Sequence, residues 1–355
     1  MIKVLGLALY GPLAASTRYR LSQYVPGLAS KGIDLHIVHL LGNDYLRERF
    51  AGGSIQLAGL VKATFARLGD LWRQHEYDVV ILHCELFPLM PGCMERALIS
   101  IPYIYDFDDA FYIKYRSGRL GMLSPLLAHK FDEVMRGASA VTAGNHELAR
   151  YANRYNHNTQ YLPTVVDIGR YVPDPARRGG PVFTVGWIGS PSTAPYLLEL
   201  VAPMSALGKE GALRFIVIGG RAPAIPNVEV VEVDWNENTE VDLINSFDVG
   251  VMPLPDDDWA RGKCAFKLIQ YMACAVPVVA SPVGANIELI NSRYGLTASQ
   301  PQEWADALRT LRDQPTSRAE IGVLGKERVT QHYSLHQNLP ILENLICKAS
   351  CSRKN

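Results

Sequence analysis

The sequence lacks a net charge: among its 355 residues, 35 Lys and Arg balance 35 Asp and Glu. Nucleic-acid-binding domains are ordinarily basic, so a nucleic-acid partner is not expected. With 48% hydrophobic and 20% charged residues, the composition also excludes a disordered polyelectrolyte. No long hydrophobic run is present. The longest uncharged stretch, 268–287, holds Pro277 and Pro282 and reads as a helix followed by a strand, so no spanning segment is expected. Cysteine is scarce, six in all, with Cys84, Cys264 and Cys274 in apolar segments and Cys347 and Cys351 near the tail. That scatter argues against a disulfide framework and for reduced thiols in a cytoplasmic protein. The start, Met1 to Tyr10 followed by Ala14-Ala15-Ser16, imitates a short signal peptide, but a buried first strand fits better because a helix follows at once.

What is present is an alternation of short apolar runs with amphipathic segments, the pattern of parallel sheets covered by helices on both faces. The expected class is α/β. In the first half, strands are expected at 2–9, 35–40, 79–83, 103–106 and 140–142, with helices near 17–31, 55–73, 122–137 and 146–155. In the second half, strands are expected at 183–188, 215–218, 228–233, 249–252 and 278–280, with helices from about 302 to 347. Periodicity fades and prolines gather over 166–181, which reads as a linker. The expectation is a domain over 1–165, a second over 182–335, and a C-terminal helix and tail, 336–355, packing back on the first. Such sheets bind ligands at the carboxyl ends of their strands.

The richest stretch is 256–288. Lys267 lies in the first turn of a helix expected at 265–274, with Arg261 and Lys263 just before it. The positive end of a helix favours acids there, so cations in that place make sense if an anion such as a phosphate is bound. The alternative is that Asp256, Asp257 and Asp258 simply neutralise them. Gly189, Ser190, Ser192 and Thr193 follow the 183–188 strand, where Ser192 or Thr193 can cap the next helix and leave N–H donors for a phosphate. Gly219 and Gly220 end the next strand and permit close approach to the backbone. In the first half, Arg18 and Arg20 open a helix and are candidates for a phosphate of donor or acceptor, or for covering the helix surface. Lys114, Arg116 and Arg119 form a basic loop suited to a phosphate or an anionic membrane surface, or merely solvated. Asp106, Asp108 and Asp109 crowd three acids after the fourth strand, where they must be solvated, paired or bound to a cation. His83 and Glu85 end the third strand and read as packing residues.

The segment Tyr271-Met-Ala-Cys-Ala-Val-Pro-Val-Val-Ala-Ser-Pro-Val-Gly284 resembles the donor-binding region of retaining GT-B glycosyltransferases of family 4. Weaker matches at 101–110, 142–145, 162–167 and 185–190 extend the resemblance over nearly the whole chain. It implies two Rossmann-like domains and sugar transfer from a nucleoside diphosphate sugar to an acceptor hydroxyl, with retention and no metal or other cofactor. The acceptor implied is a glycan or lipid-linked precursor in polysaccharide, glycolipid or lipopolysaccharide synthesis, at the inner face of the cytoplasmic membrane. Trp235 would lie beside the base and Gly284 in the Gly-rich turn, which Glu288 follows. Two departures stand out. The family's glutamates fall on Gly262 and Gln270, and its diphosphate-binding Arg and Lys fall on Ser190 and Pro195. Lys267, Lys263 and Arg261 would then supply the charge, and Gln270 would meet the ribose. Asp108 replaces a histidine near the donor sugar and is the expected catalytic residue with Lys267; Asp109 is assigned to the acceptor or phosphate side. The same Asp-x-Asp string imitates a GT-A metal motif, a reading that leaves the second domain unexplained. Two other classes share the architecture: a nonhydrolysing sugar-nucleotide epimerase, and a catalytically weak sugar-nucleotide-binding partner protein.

Overall fold

The computed structural model describes residues 1–355 apart from 51–52, 54–56, 117–123, 292 and 355, and gives no side-chain account of 50, 57, 124 and 354. Arg119 therefore lies outside the described residues, as do parts of the helices expected near 55 and 122. The chain divides into two units. The first comprises Met1–Val165, Gly262–Cys264 and Asn338–Asn355; the second comprises Val166–Arg261 and Ala265–Gln337.

The first unit is built on a six-stranded parallel sheet of order β2-β1-β3-β4-β5-β6. Its strands are β1 (Ile2–Tyr10), β2 (Ile33–Leu41), β3 (Val79–His83), β4 (Tyr103–Phe107), β5 (Ala140–Ala143) and β6 (Thr159–Tyr161). Strands β3, β4 and β5 are buried at every position, as strands covered on both faces must be. The helix expected over 17–31 is broken into Ala15–Arg20, a 3-10 turn Ser22–Tyr24 and Val25–Ala29. Pro26 has no N–H to donate back into the preceding turn, so one continuous helix cannot run through it. The helix His146–Asn153 starts where the Asn145 side chain accepts from the Leu148 N–H at 2.7 Å.

The second unit repeats the architecture with order β12-β11-β10-β7-β8-β9. These are β7 (Phe183–Ile188), β8 (Leu213–Ile218), β9 (Glu229–Val233), β10 (Val249–Met252), β11 (Val278–Ala280) and β12 (Leu296–Thr297). All pairings are parallel, and the order reverses between β7 and β10. In the first sheet the reversal falls between β1 and β3. Such reversals open the crevices at strand carboxyl ends where doubly wound sheets take ligands. Two apolar clusters cover the second sheet, one centred on Leu268, Tyr271 and Met272 and the other on Trp187, Leu197 and Trp304.

Residues 166–181 pack as part of the second unit. Tyr171 is buried, and Arg178 donates to the carbonyls of Asn245 and Ala275 at 3.0 and 2.8 Å. Among the described residues, no helix is long and apolar enough to cross a membrane. All six cysteines are free thiols.

Candidate functional site

In the first unit, chemistry gathers at the ends of β3 and β4, where the sheet register sets His83 beside Asp106. Asp106 is buried and accepts from Arg20 Nε at 3.1 Å, from the Thr142 hydroxyl at 2.6 Å and from His83 Nδ1 at 2.8 Å. Burial alone would raise this carboxyl. The Arg20 charge, with hydrogen bonds from His83 and Arg20, overcomes that and holds it well below the usual carboxylate range. Arg20 also donates to the Leu162 carbonyl at 2.6 Å. It is thus a buried anchor tying the first helix to β4, where the sequence offers either a phosphate contact or a cover for the helix surface. Arg18 donates to the carbonyls of Pro12 and Leu13, both at 2.8 Å, and shapes the turn after β1.

Asp108 is half-buried, and its Oδ1 is shielded with no hydrogen-bond partner among the described residues. Burial, with Asp109 and Asp106 adding to it, pushes its pKa up against the opposing pull of His83 and Arg20. Asp109, assigned to the acceptor or phosphate side, is ion-paired with Lys263 at 2.9 Å. The Gly262–Cys264 segment belongs to this unit: the Lys263 carbonyl accepts from Asn145 Nδ2 at 3.0 Å, and Cys264 Sγ donates to the Asp108 carbonyl at 3.0 Å. Lys263, read from sequence as a diphosphate contact, is therefore held by an aspartate 154 residues away. A Cβ on Gly262 would stand 2.5 Å from Ala110 Cβ, so this site has no room for the glutamate that the resemblance puts there. Of the expected basic loop, Arg116 is likewise engaged. Arg116 ends the helix Phe111–Arg116 and forks onto the buried Asp132 at 2.9 and 2.8 Å.

In the second unit, the loops after β7 and β8 meet. Lys267, in the first turn of the helix Phe266–Ala273, lies with Nζ 5.5 Å from the centre of the Trp187 ring. A Cβ on Gly189 would strike that ring at 2.3 Å and Lys267 Cε at 2.8 Å, and one on Gly220 would meet the ring at 2.9 Å. Both glycines are thus required by Trp187, which sequence reasoning did not single out. Gly219 sits at φ +76, and a Cβ there would stand 2.5 Å from the Gly189 carbonyl and 3.0 Å from Trp235 Cβ. The structure therefore gathers Gly189, Gly219, Gly220, Trp235 and Lys267 in one place.

The capping expectation is corrected. Neither Ser192 nor Thr193 caps the next helical segment, a 3-10 turn Ala194–Leu200. The Ser190 and Ser192 hydroxyls bond each other at 2.8 Å, and the Thr193 hydroxyl donates to the Ser190 carbonyl at 3.1 Å. The Gly189 and Gly219 N–H groups extend the sheet by donating to Ile218 and Val233.

Arg261 is ion-paired with Asp256 and Asp258 at 2.8 and 3.2 Å, the neutralising arrangement that competed with a phosphate contact. Its carbonyl lies where a Cβ on Gly284 would stand 2.6 Å away, and Gly284, at φ +53, opens the helix Ala285–Ile290 with Glu288 in its first turn. Gln270 is buried and donates to the Tyr171 hydroxyl at 2.8 Å. Tyr171 donates to Glu240 Oε1 at 2.8 Å, and Trp235 Nε1 donates to Glu240 Oε2 at 2.7 Å. One chain of hydrogen bonds thus links Gln270 to Trp235 through a buried carboxylate that Arg170 neutralises at 2.9 Å. Glu240 and Tyr171 carried no sequence signal of this role.

Residues 182–314 match the family described as glycosyl transferases group 1. No curated protein matches by sequence. Among solved structures, sucrose-phosphate synthase from Thermosynechococcus elongatus is similar at 13% identity and a TM-score of 0.71, over 99% of this chain and 100% of that one. Anabaena HepE, in complex with UDP and glucose, is similar at 16% identity and a TM-score of 0.69, over 97% and 99%. WaaG, a glycosyltransferase involved in lipopolysaccharide biosynthesis, is similar at 14% identity and a TM-score of 0.67, over 97% and 99%. Two doubly wound parallel sheets give the chain the GT-B fold of these structures, and residues 182–314, which build most of the second unit, carry its match to the group 1 glycosyl transferases.

Proposed function

We propose that this protein transfers a sugar from a nucleoside diphosphate sugar to an acceptor hydroxyl, with retention at the anomeric carbon. The observation that carries the reading is Lys267 in a helix's first turn, against the glycine loops after β7 and β8 at the reversal point of the second sheet. A diphosphate there gains an ammonium and the positive end of the helix together. That arrangement stabilises the leaving diphosphate as the glycosidic bond breaks. Trp235 supplies a flat apolar face for the base, and Gln270, in place of a glutamate, acts on the ribose side through its hydrogen-bonded chain. Asp108 is assigned to the reacting groups, as base or as a contact to sugar or acceptor hydroxyls. HepE binds UDP-glucose, so UDP-hexoses are the first donors to test. The acceptor class proposed is a glycan or lipid-linked precursor at a membrane surface.

One observation favours a second reading. The Gly262 position, filled by Ala110, leaves the domain without a donor-sugar glutamate, as a protein that binds sugar nucleotides with little turnover would be. Calorimetry with a panel of nucleotide sugars on the parent and on Lys267→Ala tests the donor site. Affinity should fall by roughly 1.5–3 kcal/mol in the variant, the worth of a hydrogen bond to a charged group. Unchanged affinity for a nucleoside diphosphate removes Lys267 from the site. Turnover with an acceptor separates the transferase from the binding protein.

A further inference from the structure

Beyond sugar transfer, we propose that His83 Nε2, Cys84 Sγ and a carboxylate oxygen of Asp108 form a binding site for a divalent cation of the zinc class. The three donor atoms lie within 4.8 Å of one another. In a tetrahedral zinc site, bond lengths of about 2.0 and 2.3 Å put nitrogen and sulfur roughly 3.6 Å apart. Nε2 and Sγ already stand 3.2 Å apart, close to that separation, and an Asp108 carboxylate oxygen lies within 4.8 Å of both.

The surroundings are those that a metal histidine needs. Asp106 accepts from His83 Nδ1 at 2.8 Å and is itself held by Arg20 and Thr142, which fixes the ring and the tautomer and leaves the Nε2 lone pair facing Cys84. The shielded Oδ1 of Asp108 has no hydrogen-bond partner among the described residues, and a cation would satisfy it. Cys84 holds φ +67, a conformation costly for a residue with a side chain, and it turns the thiol to the carboxyl end of β3 beside the reversal of the first sheet. A thiolate and a carboxylate together cancel a dication's charge. Nitrogen and sulfur donors select zinc-like ions over magnesium or calcium. The sulfur binds the ion as thiolate, so loading releases the thiol proton to solvent, and water takes the fourth position.

The test uses the full chain carrying Cys93→Ser and Cys351→Ser, which removes the exposed thiols. After chelator stripping, it is titrated with Co²⁺ and followed by absorbance. A single equivalent should give a thiolate-to-cobalt charge-transfer band with tetrahedral ligand-field bands, both displaced by Zn²⁺. Cys84→Ser should remove the charge-transfer band, and Asp108→Asn should weaken Co²⁺ binding at least ~10-fold. No band in the parent, or an undiminished band in Cys84→Ser, overturns the site. Should Cys84→Ser fail to fold, unchanged Co²⁺ affinity in Asp108→Asn overturns it equally. A consequence rests on the proposed function: a bound ion withdraws Asp108 from the reacting groups, so Zn²⁺ should inhibit transfer and EDTA should not. A band without inhibition supports the metal site and overturns the role of Asp108, so the two failures are told apart.

Discussion

At the scale of single residues, hydrogen-bond chemistry explains why an amide stands at position 270. Tyr171 has one phenolic proton and gives it to Glu240, so its oxygen can only accept from Gln270. A carboxylate in that place cannot donate, and it would compete with Glu240 for the same proton in a buried setting. Gln270→Glu should therefore lose roughly 1–3 kcal/mol at neutral pH, the cost of an unsatisfied buried group. Crowding and burial raise the pKa of the introduced carboxyl above its unfolded value. The variant's stability should then be closest to the parent in acid and fall as pH rises through that raised pKa. Urea melts across pH check this; a deficit independent of pH counts against it. Asp108 poses a different question. Asp108→Asn keeps shape and hydrogen-bonding capacity but loses charge and basicity, so turnover should drop while donor affinity and melting temperature stay near parental values. Near-normal turnover makes Asp108 neither base nor essential contact.

Element by element, the site is shaped by close approaches between backbones and rings. The tightest departure from the family pattern is Gly262, where any Cβ meets Ala110 at 2.5 Å. Restoring the family residue by Gly262→Glu should overpack the contact and cost roughly 1–3 kcal/mol, lowering the melting temperature with no gain in donor affinity. Combining it with Ala110→Gly should recover part of the loss. Tighter donor binding in the single variant at unchanged stability would show that the segment opens to accept the side chain. The β7 and β8 loops follow the same logic, since Trp187 beneath Gly189 and Gly220 fixes where Lys267 lies.

For the whole molecule, two sheets with separate cores make unfolding in more than one step the expectation. Trp187, Trp235, Trp259 and Trp304 belong to the second unit and Trp72 to the first, so tryptophan fluorescence mainly reports the second. A nucleoside diphosphate at about 100 times its dissociation constant should stabilise the fluorescence-detected transition by roughly 2.7 kcal/mol. Circular dichroism, which sees both units, should then show a component that the nucleotide leaves in place. An equal shift of every component means that the units unfold together.

The sequence by itself determined the buried strands and the class. Runs such as Val79–His83, Phe183–Ile188, Val249–Met252 and Val278–Ala280 are apolar at nearly every position because both faces of a parallel sheet are covered. The edge strands Thr159–Tyr161 and Leu296–Thr297 escaped notice, being two or three residues long and partly polar. So did the short helices Asn43–Phe50, Gly92–Leu98 and Phe111–Arg116, which offer too few turns for a period to show. Which charges pair was decided by tertiary structure alone. Arg20 meets Asp106 across 86 residues and Lys263 meets Asp109 across 154, and no local pattern encodes such partners. The glycines at 189 and 220 were legible as close approaches, but what approaches them, the indole of Trp187, depends on how the loops fold over one strand end. Sequence periodicity records which faces are buried; it carries no record of the side chain that meets each one, because that depends on packing between distant segments.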